Sequence, residues 1–141
     1  MVTRYKLKTF TIQETPSVGE TITDAMAAAR VLRAVFATLD SNVEHFVVLT
    51  LNTRGKANGW KVVGQGTAAA CLVHPREVFR AAIELGAASV IVAHNHPSGD
   101  ATPSEEDKVL TRRLQSAGDI LGIPMVDHLV LTHNGCVSVG E

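Results

Sequence analysis

The sequence has no surplus of charge of either sign. Its 13 Lys and Arg residues face 14 Asp and Glu, for a formal net charge of −1 over 141 residues. A domain that grips nucleic acid through its phosphates normally shows a basic excess or stripe. Here only Lys6/Lys8 and Arg112-Arg113 form small local patches, most simply solvated surface, so strong nucleic-acid binding is not expected. Cysteine is scarce as well. Cys71 and Cys136 stand apart with no CxxC partner, which argues against a disulfide framework and against a cysteine metal site. Cys71, in TAAACLV, reads as a small buried apolar group. Long hydrophobic runs are missing too: Ala87 to Ala93 is apolar except for Ser89, far short of the about 20 residues a bilayer demands. The opening MVTRYKLKTFTIQETP lacks the apolar core of a signal peptide. A cytoplasmic chain without membrane contact is the expectation. There is no internal repeat, low-complexity stretch or linker.

What is present describes one folded domain. The chain is 45% hydrophobic and 19% charged, and its length suffices for a real core. Residues 1 to 20 read as an irregular or short-stranded entry, punctuated by Pro16 and Gly19. TDAMAAARVLRAVFATL, from Thr23 to about Leu39, has apolar positions at helical spacing, with Thr21 or Thr23 as its N-cap. EHFVVLTLN (44 to 52) is a buried strand; RGKANG carries turn residues, and WKVVGQGTA resumes a strand, making a hairpin. HPREVFRAAIELGA is a second helix, with Pro75 in its first turn and Gly86 near its end. ASVIVAHNH is a strand, SEEDKVLTRRLQSAGDILG a third helix, and PMVDHLVLT (124 to 132) a closing strand. Helices and strands interleave, which predicts a single α/β domain with the order of its sheet left open.

The chemistry concentrates in AHNHPSGDATPSEED, residues 93 to 107. The apolar run Val90 to Ala93 predicts a strand buried on both faces that delivers His94 and His96 at its end. Residues i and i+2 of a strand face the same side, roughly 6.6 Å apart at Cα, so both imidazoles can reach one ion. Pro97 biases His96 toward extended backbone, and Gly99 lets the chain turn away. Ser104-x-x-Asp107 could be an N-cap serine with a carboxylate at N3, but Thr102-Pro103-Ser104-Glu105 reads as the better capping box, with proline at N1. On that reading Ser104 and Asp107 are free of capping duty and head a stripe that continues through Leu110 and Leu114. A carboxylate at the head of a buried stripe needs a partner, and a metal is a good one. Two histidines and a carboxylate leave a fourth position for water, the pattern of a catalytic zinc, which lowers the pKa of that water to roughly 7. Ser104 is placed to donate to an oxyanion. A general base is also needed, and spacing leaves Glu44, Glu84 and Asp100 open for it.

The arrangement H-x-H-x7-S-x2-D, here His94, His96, Ser104 and Asp107, resembles the motif of the JAMM (JAB1/MPN+) metalloproteases. HPREVFRAAIELGAASVIVAHNHPSGDATPSEED, followed by VDHLVL, looks specifically like the bacterial RadC family, and the likeness runs from about Met26 to the C-terminus. The resemblance implies a JAB1/MPN-like, cytidine-deaminase-like fold: a central mixed sheet flanked by helices, with residues 1–25 as an N-terminal extension and 26–141 as the domain. It implies one zinc ion per chain on His94, His96 and Asp107, and hydrolysis of an amide or isopeptide bond in a peptide or protein substrate. It also singles out Glu44, at the start of an upstream strand, as the acid/base. Full-length RadC proteins carry a helix-hairpin-helix region that residues 1 to 25 are too short to hold, so a DNA-repair role is expected to transfer poorly. A homodimer is compatible with the resemblance.

Rival readings are weaker. The letters HNH invite a nuclease, but that class spreads its residues over a ββα metal finger. A zinc deaminase needs a P-C-x-x-C element, which is missing. A non-haem iron oxygenase shares the two-histidine, one-carboxylate set; the serine and glutamate favour hydrolysis. The serious alternative is a metal-binding but catalytically silent interaction module, associated with DNA repair or mobile elements. Gly64-Gln65-Gly66-Thr67-Ala68-Ala69 matches GxGxxA, but too few residues follow before Pro75 to open a nucleotide-binding helix, so it reads as a bend in a strand. His74 reads as a surface histidine rather than a helix cap or rim residue, and His133 lies in the turn THNG. His128 reads equally as a support for a metal ligand or as a buried, hydrogen-bonded group. His45 and Asn95 point away from the site, the first toward packing and the second toward backbone hydrogen bonds.

Overall fold

A computed structural model describes residues 19–66 and 73–140. The expectations for residues 1–18, for Cys71 and for the Thr67–Ala69 part of the GxGxxA stretch lie outside the described residues. The elements run α1 (Ala25–Phe36), β1 (His45–Leu51), β2 (Ala57–Gln65), α2 (Pro75–Glu84), β3 (Ser89–Asn95), α3 (Glu105–Leu121), β4 (Met125–Thr132) and β5 (Gly135–Ser138). They form one mixed sheet in the order β2-β1-β3-β4-β5. Only the β3–β4 pair is parallel, because α3 carries the chain back across the sheet between them. The β1–β2 hairpin is present with a tighter turn than RGKANG predicted, since Ala57 already pairs with Leu51. Strand β5, absent from the sequence-based expectation, pairs antiparallel with β4 after the turn at His133-Asn134.

Period-two alternation splits the core in two. Phe46 and Val48 of β1 and Val90 and Val92 of β3 face α2 and α3, packing with Val78, Phe79, Leu110 and Leu114. Val47, Leu49, Ile91 and Ala93 face the other way, onto Val31, Leu32 and Val35 of α1. A charge-free central strand is thus explained by burial on both faces.

The helix ends depart from expectation in two places. Asp24, not Thr21 or Thr23, caps α1: its carboxylate accepts from the Ala27 N–H at 2.8 Å. For α3 the cap is Ser104, with extended backbone, and the box is completed by Asp107, not by Thr102 and Glu105. Thr102 instead donates its hydroxyl to Asp100, 2.7 Å away, so Pro103 precedes the helix. At the other end Gly122 closes α3 with φ of 73°, a left-handed conformation that glycine adopts without strain. Among the described residues no helix is long and apolar enough to cross a membrane.

Candidate metal centre

The β1–β3 register builds the site. Phe46 pairs with His94, so stepping two residues outward on each strand brings Glu44 and His96 to the same end and the same face. That face is covered by α3, whose first turn carries Asp107. His94 and Asp107 are fully buried, while His96 is half-buried. His94 Nε2 lies 3.1 Å from His96 Nε2 and 3.2 Å from Asp107 Oδ1, and His96 Nε2 lies 3.6 Å from Asp107 Oδ2. A ligand atom of Glu44 joins those of His94 and His96 within 4.8 Å of one another. Of the three carboxylates that spacing left open, only Glu44 is in this group. Glu84 pairs with Lys61 and Arg80 on the surface, and Asp100 is tied to Thr102.

The cap of α3 and the cluster draw on the same two residues. Ser104 Oγ accepts from the Asp107 N–H at 3.1 Å, and Asp107 Oδ2 accepts from the Ser104 N–H at 2.8 Å. The expectation that both residues stand free of the cap is therefore wrong, yet neither group is used up. Asp107 keeps Oδ1 for the cluster, and the Ser104 hydroxyl keeps its own proton. Burial opposes ionisation of Asp107, but the hydrogen bond and charge of His94, with the Ser104 hydrogen bonds, hold its carboxyl well below the usual range. Glu44 behaves oppositely. Burial pushes its carboxyl up, against the pull of His94 and His96, and the Asp107 charge adds to the rise.

The cluster fits a divalent metal. His96 Nδ1 lies 2.8 Å from the Asp100 carbonyl, which can only accept, so the neutral ring carries its proton there and leaves Nε2 bare. Tetrahedral zinc with bonds of about 2.0–2.1 Å sets its donor atoms about 3.3–3.4 Å apart. The His94 Nε2–His96 Nε2 and His94 Nε2–Asp107 Oδ1 separations of 3.1 and 3.2 Å lie close to that spacing, while His96 Nε2 approaches Asp107 through Oδ2 at 3.6 Å.

Several surrounding residues answer what the sequence left open. Asn95, between the two histidines, points away from them, as expected. Its Oδ1 accepts from the His45 N–H at 2.7 Å and its Nδ2 donates to the Val43 carbonyl at 3.0 Å. These two bonds bracket Glu44 and anchor its segment to the end of β3. The His45 ring is buried, as packing predicted. His74 is a helix cap rather than a simple surface group: Nδ1 accepts from the Arg76 N–H at 3.1 Å. His128 is fully buried and contacts His94 directly, and burial together with the His94 charge pushes its imidazole down to about 3. Thr111, one turn after Asp107 and bonded to His128, was missed entirely; its place on the Asp107–Leu114 stripe was the only available signal.

The fold and this cluster define a class: α/β domains with a metal-ligand group where an inner strand ends against the first turn of the next helix. Within that class the chain belongs to the RadC-like JAB domain family, whose model matches residues 22–141. It is 50% identical over 100 residues to a UPF0758 protein of Symbiobacterium thermophilum, covering 71% of this chain and 43% of that protein. A UPF0758 protein of Staphylococcus epidermidis is 48% identical over 102 residues, 72% of this chain and 45% of its own length. One from Thermotoga maritima is 48% identical over 94 residues, 67% and 42% of the two chains. The chain thus spans less than half the length of these curated relatives.

Proposed function

We propose that this chain is a zinc-dependent hydrolase that cleaves an amide or isopeptide bond in a peptide or protein, with His94, His96 and Asp107 holding one ion. The observation that carries the reading is the cluster of donor atoms in which His94 Nε2 lies 3.1 Å from His96 Nε2 and 3.2 Å from Asp107 Oδ1, with the Glu44 carboxyl close to both imidazoles. A bound zinc ion would supply a Lewis acid that activates water near neutral pH. Glu44, its carboxyl raised by burial, is suited to take a proton at a carboxylate oxygen and return it to the leaving nitrogen. The Ser104 hydroxyl, its proton unspent in the cap, is suited to donate to the oxygen where negative charge develops.

Two substitutions test this reading. Glu44→Gln keeps the size of the side chain but cannot accept a proton, so it retains zinc by elemental analysis and loses about 10²–10⁴-fold in turnover on a validated substrate. Asp107→Ala removes a ligand and weakens zinc binding itself. Glu44→Gln turning over at the parent rate removes Glu44 from the reaction.

The closeness of Glu44 also favours a second reading, in which it is a fourth protein ligand. Four protein ligands close a site and make it structural, giving a silent interaction module. Zinc affinity that falls as far in Glu44→Gln as in Asp107→Ala, with no cleavage of a peptide library by the parent, selects that module.

A further inference from the structure

The buried contacts behind His94 have a direction that proton counting reveals. Thr111 Oγ1 lies 2.8 Å from the backbone carbonyl of Asp107, one turn earlier in α3. A carbonyl only accepts, so the single hydroxyl proton of Thr111 is committed there. The same Oγ1 lies 2.7 Å from His128 Nδ1. With the hydroxyl proton spent, that contact is a hydrogen bond only if His128 carries its proton on Nδ1. A neutral His128 then has a bare Nε2, which lies 3.0 Å from His94 Nδ1. That contact in turn requires His94 to be the donor, so His94 carries a proton on Nδ1.

We propose that Thr111 and His128 are positioning residues that fix a proton on His94 Nδ1, so that Nε2, the atom facing His96 Nε2 and Asp107, is the one left to bind a cation. The inference rests on the metal-centre reading above and deepens it. The opposite direction fails, because Thr111 donating to His128 would set its oxygen against the Asp107 carbonyl with no proton between them. Thr111, His128 and His94 are all buried, so no solvent is at hand to replace a missing partner. Phe46 holds the planes of both rings, stacked on His94 at 5.6 Å between centroids and edge-on to His128 at 5.4 Å. The chain begins on the backbone of one proposed ligand, Asp107, and ends on the ring of another. With His96 held at Nδ1 by the Asp100 carbonyl, both imidazoles turn Nε2 toward one point. A proton held between His94 and Asp107 Oδ1, or a metal cation in its place, can occupy that point.

Two measurements on the folded protein as isolated test this. Long-range ¹H–¹⁵N correlation of the histidine rings at neutral pH is expected to find Nδ1–H on both His94 and His128, with His128 bare at Nε2. A spectrum with Nε2–H on His128, or without Nδ1–H on His94, overturns the relay. Titration with zinc alone is expected to find Thr111→Val about 10–100-fold weaker than the parent, and Thr111→Ser, which restores the hydroxyl, close to the parent. Thr111→Val that is folded by circular dichroism and binds zinc as tightly as the parent also overturns it. Should Thr111→Val not fold, the ring spectrum of the parent still decides. A parent that takes up no zinc but shows both Nδ1–H rings sinks the metal reading and leaves the relay standing.

Discussion

At the scale of single residues, Ser104 caps a helix with the same side chain that is proposed to serve the chemistry. Its oxygen caps α3, its N–H holds Asp107 Oδ2, and its hydroxyl proton remains available. Replacing a serine N-cap with alanine costs about 0.5–2 kcal/mol, but glycine costs only a few tenths. The two roles can therefore be separated. Ser104→Gly is expected to melt close to the parent by calorimetry. On a validated substrate, loss of an oxyanion donor lowers turnover by about 10²–10³-fold. Parent-like turnover in Ser104→Gly would assign the serine to capping alone. Neither role excludes the other, because the lone pair and the proton of a hydroxyl are independent.

At the scale of elements, the last turns of α3 must lie against the entry to β4, and Gly118 permits it. A Cβ added there would sit 2.6 Å from the Ile123 carbonyl oxygen, 3.2 Å from the Met125 nitrogen and 3.3 Å from Phe79 Cζ. Two of those neighbours are backbone, so the clash cannot be relieved by a rotamer change. Alanine in a helix normally gains roughly 1 kcal/mol over glycine; here the sign reverses. Gly118→Ala is expected to lose about 1–3 kcal/mol through overpacking, measured as a lower denaturation midpoint in urea. A stabilised Gly118→Ala would mean that α3 shifts freely on the sheet. The Asp107 end of the same helix would then be too loose to hold its carboxylate against His94.

At the scale of the whole molecule, the donor atoms join the two layers, His94 and His96 at the end of β3 and Asp107 on α3. An ion that binds only when these elements are docked stabilises the fold by mass action, by about 2.7 kcal/mol at a hundredfold excess over Kd. Thermal unfolding is therefore expected at a higher temperature with zinc than with chelator, and Asp107→Ala is expected to lose most of that difference. A melting temperature indifferent to zinc in the parent would count directly against the metal centre.

Much of this was written locally. Helical spacing in AMAAARVLRAVF, the uncharged run before His94 and the i, i+2 step of the two histidines are short-range patterns, and the three helices and the first four strands follow them closely. The family likeness read from the motif is matched by the family found over residues 22–141. Local chemistry misled where two neighbouring segments offered equivalent solutions. TPSE and SEED both spell a cap, and the choice fell to Ser104, where Asp107 could serve the helix end and the buried cluster at once. Other features were invisible in one dimension. Strand order, the short β5, the bracketing of Glu44 by Asn95 and the Thr111–His128–His94 chain all join residues distant along the chain. Glu44 could not be told from Glu84 or Asp100 by spacing, because which carboxylate meets the histidines depends on the β1–β3 register. That register is set by matching buried faces across strands, which only the packed tertiary structure contains.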